Sequence, residues 1–433
     1  MLLKSTLSYG YTASKDIVGM YNRYKDLVSA WALFLLNPFA TALLAFLNYR
    51  KAYAKNIIWL FVAYYGFTLV VSNEGMDANR YRDFFISLSY TDFDFQNIGD
   101  LLYQEGSSFL DPAQLVISFL VSRFTSDPRF LFAVFGLVFG YFYSRNVWFL
   151  LERTGTEMKK SAVIYLAVFV IVLGFWKISG FRMWTAAHIF FFGAFQYFMD
   201  NKKSGILIAA VSIFFHFSYM FPFALLLAYI VLPKKSSLFF GLFIFAFFVS
   251  EIEVSVFSEI LTRILPDVFH QRIQGYTSEA YLESVEAGIE TRNWRFLLYR
   301  QSIKWTSTVF LTVIYFTGKK FLQENKSYYI LFCFALFLMA SVNVFSHIPA
   351  MTRYYPVTYL FVFAIIYFYI QHAPDFPLKK MLLLIAFPFL LFYCVGQINI
   401  SLMTIGTITV LGNPFVALLS QSDLDLSIIE LLR

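Results

Sequence analysis

A few ionisable residues of this 433-residue chain stand where the apolar sequence leaves little room for charge. Arg182 follows a very short turn, Ser179-Gly180-Phe181, between two apolar runs, and Lys177 lies one turn before it. Arg353 lies with His347 in a short polar stretch between two further runs and is followed by Tyr354 and Tyr355. His216 sits near the middle of a 28-residue apolar run, 205–232, two residues before Ser218. A guanidinium presents a planar fork of donors that fits phosphate bidentately, whereas a lysine acts as a point charge. Histidine titrates near neutral pH and can donate to a phosphate or move a proton. An arginine at a membrane boundary is costly unless paired or solvated, so Arg182 and Arg353 are functional candidates. The plain alternatives are snorkelling to headgroups for Arg182, an interfacial anchor for Arg353 and a helix-packing role for His216.

A second group opens a long hydrophilic stretch. Asp77, Arg80 and Tyr81 form D-x-x-R-Y, whose acid and base, three apart, can pair on one helix face. In the same stretch Glu105 is a candidate base for a hydroxyl proton. Arginine recurs as Arg82, Arg123, Arg129, Arg263, Arg272, Arg292, Arg295 and Arg300. A face rich in arginine and free of loop lysine suits an anion such as a pyrophosphate, and pairing with loop acids is the ordinary reading of any one of them. The five histidines (188, 216, 270, 347 and 372) are scattered, and Asp92-Phe93-Asp94 is the only D-x-D in the two long acidic connections, so no metal site is expected. Cys333 and Cys394 lie within apolar runs and suggest neither a disulfide nor a ligand pair. No P-loop, G-x-G-x-x-G or G-x-S-x-G motif occurs, which leaves nucleotide hydrolysis and serine-hydrolase chemistry without support.

The elements that must position these residues are membrane helices. The chain is 59% hydrophobic and 14% charged, the latter about half the usual soluble share of ~25%. That excludes a cytosolic enzyme, a nucleic-acid binder and a disordered scaffold. The continuous apolar runs also exclude a β-barrel, whose strands alternate over ~10 residues. Runs occur at 30–47, 57–72, 129–150, 161–178, 183–199, 205–232, 237–250, 301–317, 328–345, 354–371 and 379–396. A helix needs only ~20 residues to cross, so 205–232 reads as two short helices turning at His216-Phe217-Ser218. The result is an all-α polytopic protein with about twelve crossings. Residues 113–124 are too short to span, and 400–420 are ambiguous.

Six connections, 48–56, 151–160, 200–204, 233–236, 318–327 and 372–380, carry 15 Lys and Arg, while the alternate ones carry no lysine. The positive-inside rule makes the lysine-rich set cytoplasmic. The long connections 73–112 and 251–300, with eight acids each, are then extracytoplasmic. Residues 1–28 read as an interfacial amphipathic segment, with Ile17, Met20, Tyr21, Tyr24 and Val28 on one helical face. Residues 29–400 form the membrane domain, and 401–433 a tail of open topology.

In order along the chain, these motifs resemble the EpsG family of Wzy-like polysaccharide polymerases. Asp77-x-x-Arg80-Tyr81 is followed by Asp111-Pro112 before a short apolar segment, then by Ser126-Asp127-Pro128. Gly180-Phe181-Arg182-x-x-x-Ala186-Ala187, His216-Phe217-Ser218 and Arg353-Tyr354-Tyr355 complete the series, and the similarity covers roughly 30–400. The resemblance implies a C-type glycosyltransferase in the bacterial inner membrane, acting on its outer face. The implied substrate is an undecaprenyl-pyrophosphate-linked glycan. No cofactor, metal or nucleic acid is implied; membrane lipids and a chain-length regulator protein are the implied partners. By this analogy Arg182, Arg353 and Lys177 hold pyrophosphate. Asp77, Arg80 and His216 are catalytic, and Tyr81, Glu105, Tyr354 and Arg292 bind sugar or acceptor. Tyr276, Tyr281 and Trp294 of the second long connection could stack on sugar rings. An O-antigen ligase shares this architecture, and a flippase is the rival from another class.

Overall fold

The computed structural model describes residues 26–71, 77–90, 111–248, 263, 294–346, 349–420 and 426–432. Their regular structure is helical, with two isolated bridges, Leu69 with Ile405 and Gly406 with Ser427, and no strand. Among the described residues five segments are long and apolar enough to cross a bilayer: Pro128–Leu151, Lys160–Asp200, Lys326–Val344, Met351–His372 and Pro377–Ser401. Six further apolar helices are only 10–17 residues long. One reason the apolar runs do not map one-to-one onto long helices is visible at 30–47. Asn37 stops helix α1 (Asp26–Leu36) and caps α2 (Pro38–Leu47), its Oδ1 accepting from the Ala40 N–H at 2.8 Å. Pro38 occupies the first helical position, where its missing N–H costs nothing. Most of the amphipathic segment expected over 1–28 lies outside the described residues.

The chain divides into two compact units. The first comprises residues 1–92, 117–148 and 402–433. It contains α1, α2, α3 (Ala54–Phe67), α4 (Asp77–Tyr90), the end of α5 (Pro112–Ser122) and most of α6 (Pro128–Leu151). The tail, ambiguous in the sequence, is packed on α3. Tyr65 Oη donates to Thr404 Oγ1 at 2.7 Å, Tyr64 Oη donates to the Ile408 carbonyl at 2.7 Å, and Thr68 and Thr409 hydroxyls meet at 2.8 Å.

The second unit comprises 93–116 and 149–401. Its helices are α7 (Lys160–Val172), α8 (Phe181–Asp200), α9 (Ser204–Phe215), α10 (Met220–Val231) and α11 (Ser236–Phe245). They continue with α12 (Trp294–Thr317), α13 (Lys319–Glu324), α14 (Lys326–Val344), α15 (Tyr355–His372) and α16 (Pro377–Ser401). The expected split of 205–232 is present: α9 ends at Phe215, a 3-10 turn spans Phe217–Tyr219, and α10 follows. The core is aromatic. Phe361 of α15 packs on Phe191 at 4.8 Å and on Phe334 at 5.0 Å between ring centroids.

One end of this unit collects the lysine-rich connections. Arg153 pairs with Asp200, and His372 Nε2 meets the Arg153 carbonyl at 2.9 Å. The Gln371 amide accepts from the Lys159 N–H at 2.9 Å and donates to the Thr154 carbonyl at 2.9 Å. Tyr328 stacks on His372, and Tyr329 Oη donates to the Lys234 carbonyl at 2.9 Å. Lys379 is buried and donates to the Ala373 carbonyl at 2.8 Å, placing positive charge where the last carbonyls of α15 are left over. The turn at 216–218 lies at the other ends of α9 and α10, roughly 18 Å away for a 12-residue helix. The lysine-rich connections of this unit thus gather at one end of its helices, as the loop composition predicts.

Two consequences are measurable. A Cβ on Gly193 would lie 2.4 Å from the Gly205 carbonyl oxygen and 2.4 Å from the Ala209 nitrogen, so α8 and α9 touch backbone to backbone there. Gly193→Val should destabilise the protein by about 1–3 kcal/mol and lower its melting temperature in detergent; an unchanged melt would contradict this packing. The second concerns Asp375, in the turn between α15 and α16. Its hydrogen bond from Lys379 holds the carboxyl below its ordinary range, with the charges of Lys159 and Lys380 adding to the effect. A lowered carboxyl stabilises the fold above its unfolded-state value, and that contribution is lost as pH falls through the lowered value. Wild type should therefore lose stability on acidification below about pH 4 more steeply than Asp375→Asn, as read from melting temperature against pH.

Candidate functional site

At the end of the second unit remote from the lysines, the sequence candidates converge on a residue that was only part of a motif. Asp111 stands immediately before Pro112, at the start of α5. Its side chain is 2% exposed and is held from two directions. Oδ2 accepts from Arg182 Nη1 at 3.1 Å, and Oδ1 accepts from the Phe217 N–H at 2.8 Å. One carboxylate thus joins the first turn of α8 to the turn between α9 and α10.

Local sequence explains each arm. Helix α7 stops at Val172, and a 3-10 turn over Phe175–Gly180 leads into α8, which begins at Phe181. Arg182 is therefore the second residue of a helix, half-buried, at the point where the chain re-enters apolar surroundings. The carbonyl of Leu173, freed where α7 ends, meets His188 Nε2 at 3.0 Å. His188 is thus a packing histidine that satisfies the break between α7 and the 3-10 turn. Lys177 projects from the 3-10 turn over the Trp184 ring at 5.8 Å.

His216 breaks the 205–232 run by adopting an extended conformation (φ −151°, ψ 114°) and capping the 3-10 turn. Its Nδ1 accepts from the Ser218 N–H at 3.3 Å and lies 2.8 Å from Ser218 Oγ. With Nδ1 engaged as an acceptor, neutral His216 carries its proton on Nε2, where the ring is a donor. The turn is also held from the residue that precedes α15. Tyr354 Oη donates to the Ser218 carbonyl at 2.7 Å, and its ring packs on Phe221 at 5.2 Å. Arg353 precedes it at the end of the 3-10 segment Pro349–Tyr354, half-buried and within electrostatic range of the Tyr219 phenol. Arg182, His216 and the Arg353-Tyr354 pair, separated by up to 172 residues of sequence, are thus organised by Asp111 and the 217–219 turn.

The remaining candidates lie in the first unit or outside the described residues. Asp77 begins α4 and pairs with Arg80 at 3.8 Å, three residues on and exposed. Tyr81 is buried, with its ring edge-on to Phe135 at 5.8 Å. Glu105, Arg272, Arg292, His347, Tyr276 and Tyr281 lie outside the described residues. Several other arginines have ordinary partners. Arg129 chelates Asp127 (2.7 Å) and donates to the Ala417 and Ser420 carbonyls at 3.1 and 2.8 Å. Arg82 pairs with Asp83 at 3.0 Å, and Arg123 donates to the Leu88 carbonyl. Among the described residues no group of three or more His, Cys, Asp or Glu could hold a metal ion.

A family model, described as EpsG family, matches residues 56–403, most of the chain. The protein belongs to the EpsG family. No curated protein and no solved structure matches it. The matched span of this EpsG protein includes Asp77, Asp111, Arg182, His216 and Arg353, and so both ends of the Asp111–Arg182 and Asp111–Phe217 contacts. Family membership makes it a membrane protein of the polysaccharide-polymerase type, which is the class its motif order resembles.

Sequence reasoning missed Asp111 as a site residue because an acid before proline reads as an ordinary helix start. The usable signal was the conjunction of that acid with an apolar segment too short to span, which leaves a charge at membrane depth in need of a partner. Removing one member of a buried pair costs about 3–5 kcal/mol, because the other is left charged and alone. Replacing both with apolar groups costs less. Asp111→Ala/Arg182→Met should therefore melt above Asp111→Ala alone, although both lose the Phe217 N–H acceptor. A double variant less stable than the single would show that the pair is not coupled.

Proposed function

We propose that this EpsG protein is a polysaccharide polymerase that joins undecaprenyl-pyrophosphate-linked oligosaccharide repeat units on the outer face of the inner membrane. The observation that carries this reading is the half-buried Arg182, fixed by the same Asp111 carboxylate that holds the turn following His216. In the transfer, the acceptor hydroxyl oxygen attacks the anomeric carbon of the donor sugar. The bond from that carbon to the pyrophosphate oxygen breaks, and its electron pair stays on the lipid pyrophosphate. A guanidinium held in place at low dielectric stabilises this developing charge without reorganising at the moment of reaction. His216 Nε2–H can donate to the same phosphate oxygens. The hydroxyl proton passes to a carboxylate, for which Asp77 and Glu105 are the candidates. Arg353 and Lys177 extend the positive field, and Arg80, Tyr81, Tyr354 and Arg292 are assigned to the sugars and acceptor.

The distribution of charge along the second unit favours this chemistry over transport. Flippases and transporters place polar groups near the bilayer midplane, whereas here Arg182, His216 and Arg353 gather at one end. With the lysine-rich end cytoplasmic, that end faces outward. A ligase would use the same groups to attach a finished polymer to a lipid core, and the glycan product separates the two.

The deciding experiment is a glycan ladder from the native host with the gene deleted and then complemented. Deletion should reduce long polymer to a single repeat unit, and wild type should restore it. Arg182→Ala and Arg353→Ala, expressed at wild-type level, should lower polymer by about 100-fold or more, the loss typical of one oxyanion-stabilising group. Full-length polymer in the deletion strain, without a second copy of the gene, would remove the polymerase reading.

A further inference from the structure

A second basic cluster lies in the same unit, on helices that do not contribute Arg182 or His216. It is arranged around one phenol ring, that of Tyr355. Lys304 of α12 lies over the ring face, its Nζ 5.7 Å from the centroid. Tyr355 Oη donates to Asn343 Oδ1 of α14 at 2.8 Å. Arg300, one turn before Lys304, is in electrostatic range of Lys304 and of the phenols of Tyr299, Tyr355 and Tyr359. The Arg300 and Lys304 charges, four residues apart on one helix, repel one another. No Asp or Glu among the described residues lies within ion-pair distance of Lys304.

An independent observation points to a missing acceptor. Asn343 is 4% exposed, and its Nδ2 has no hydrogen-bond partner among the described residues. A carboxamide has two polar ends and Tyr355 takes one, so whichever way the amide is turned the other end is left over. A buried polar group without a partner costs about 1–3 kcal/mol. Lys304, the positive field of Arg300 and an amide that, as placed, turns its NH₂ end to no acceptor among the described residues lie around one phenol, and together they suit a compact anion with several acceptor oxygens.

We propose that Arg300, Lys304 and Asn343 form a second phosphate- or pyrophosphate-binding site, distinct from the one built on Arg182. Arg353 lies two residues before Tyr355, on the short connection that links the two clusters along the chain. A reaction in which donor and acceptor are both lipid-pyrophosphate-linked needs two such places. That assignment of the second site to the partner substrate rests on the polymerase reading; the existence of the site does not.

The test is calorimetric titration of the detergent-purified full chain with inorganic pyrophosphate. Wild type should bind two equivalents. Arg182→Ala should retain the equivalent that Lys304→Gln loses, and Lys304→Gln the one that Arg182→Ala loses. Lys304→Arg should keep both, and Asn343→Leu should weaken one by about tenfold. Variants are compared only where their melts match wild type; Lys304→Gln with Arg300→Gln serves as a second route if Asn343→Leu does not fold. A single equivalent in wild type, or two in a folded Arg300→Gln/Lys304→Gln double variant, would overturn the proposal. Competition by phosphatidylglycerol nanodiscs, but not phosphatidylcholine, would identify a bilayer headgroup as the natural occupant. Its absence would leave a pyrophosphate-linked substrate, and both outcomes retain the site. If the deletion strain kept its polymer while the two equivalents persisted, the function would fall and the site would stand.

Discussion

A carboxylate with 2% of its surface exposed needs donors to replace the water it has lost, and Asp111 obtains two of them. The donors come from different places, a guanidinium on α8 and a backbone N–H in the turn between α9 and α10. The requirement to satisfy one buried charge therefore fixes the relative position of two elements that the sequence leaves 35 residues apart. Were Asp111 neutral or absent, Arg182 would be free to snorkel toward headgroups. The Phe217 N–H would also need another acceptor, and nothing in the 3-10 turn itself provides one. The pair adds little to net stability compared with a well-packed apolar substitute. Its effect is specific: it allows one arrangement of the turn and of the arginine.

The same rule governs the breaks in the helices. Inside an apolar environment each interrupted helix leaves carbonyls and N–H groups that must be paired. The interruption after Val172 is answered by His188, the interruption at His216 by that residue's own ring and by Tyr354, and the end of α15 by Lys379. These answers differ in what surrounds them. His188 and Lys379 repair breaks by meeting backbone carbonyls. His216 repairs a turn that Asp111 and Tyr354 also hold, so this break alone is tied to Arg182 through a shared carboxylate.

This distinction explains what could be read from the sequence. The split of 205–232 was legible because 28 residues exceed one crossing, and the polar triplet gave the position of the turn. The gathering of lysine at one end was legible because loop charge follows orientation, a rule that needs no tertiary information. The role of Asp111 was not, because its partner lies 71 residues on and local sequence cannot see a contact of that range. Arg300 was visible only as one of many arginines, and Lys304 was absorbed into an apolar run. Neither acquires meaning until α12, α14 and α15 bring a tyrosine and an unsatisfied asparagine beside them. The break at Asn37-Pro38 could have been found from a cap residue followed by proline, and was hidden by the continuity of the apolar run around it.

Two basic clusters in one unit also clarify why arginine is preferred at this end. A point charge attracts any anion, and a site facing headgroups would be flooded by them. A guanidinium fixed by a buried carboxylate accepts only an anion whose oxygens match the direction left open to it. In the proposed function the Asp111-Arg182 pair selects by geometry where the field alone would not. The second site proposed above differs in its parts, a tyrosine ring and a buried amide. Two sites built from different parts can bind the same pyrophosphate group and still present what it carries in different orientations. A reaction that must tell a donor from an acceptor of identical chemistry needs that asymmetry in the protein, because the substrates do not supply it.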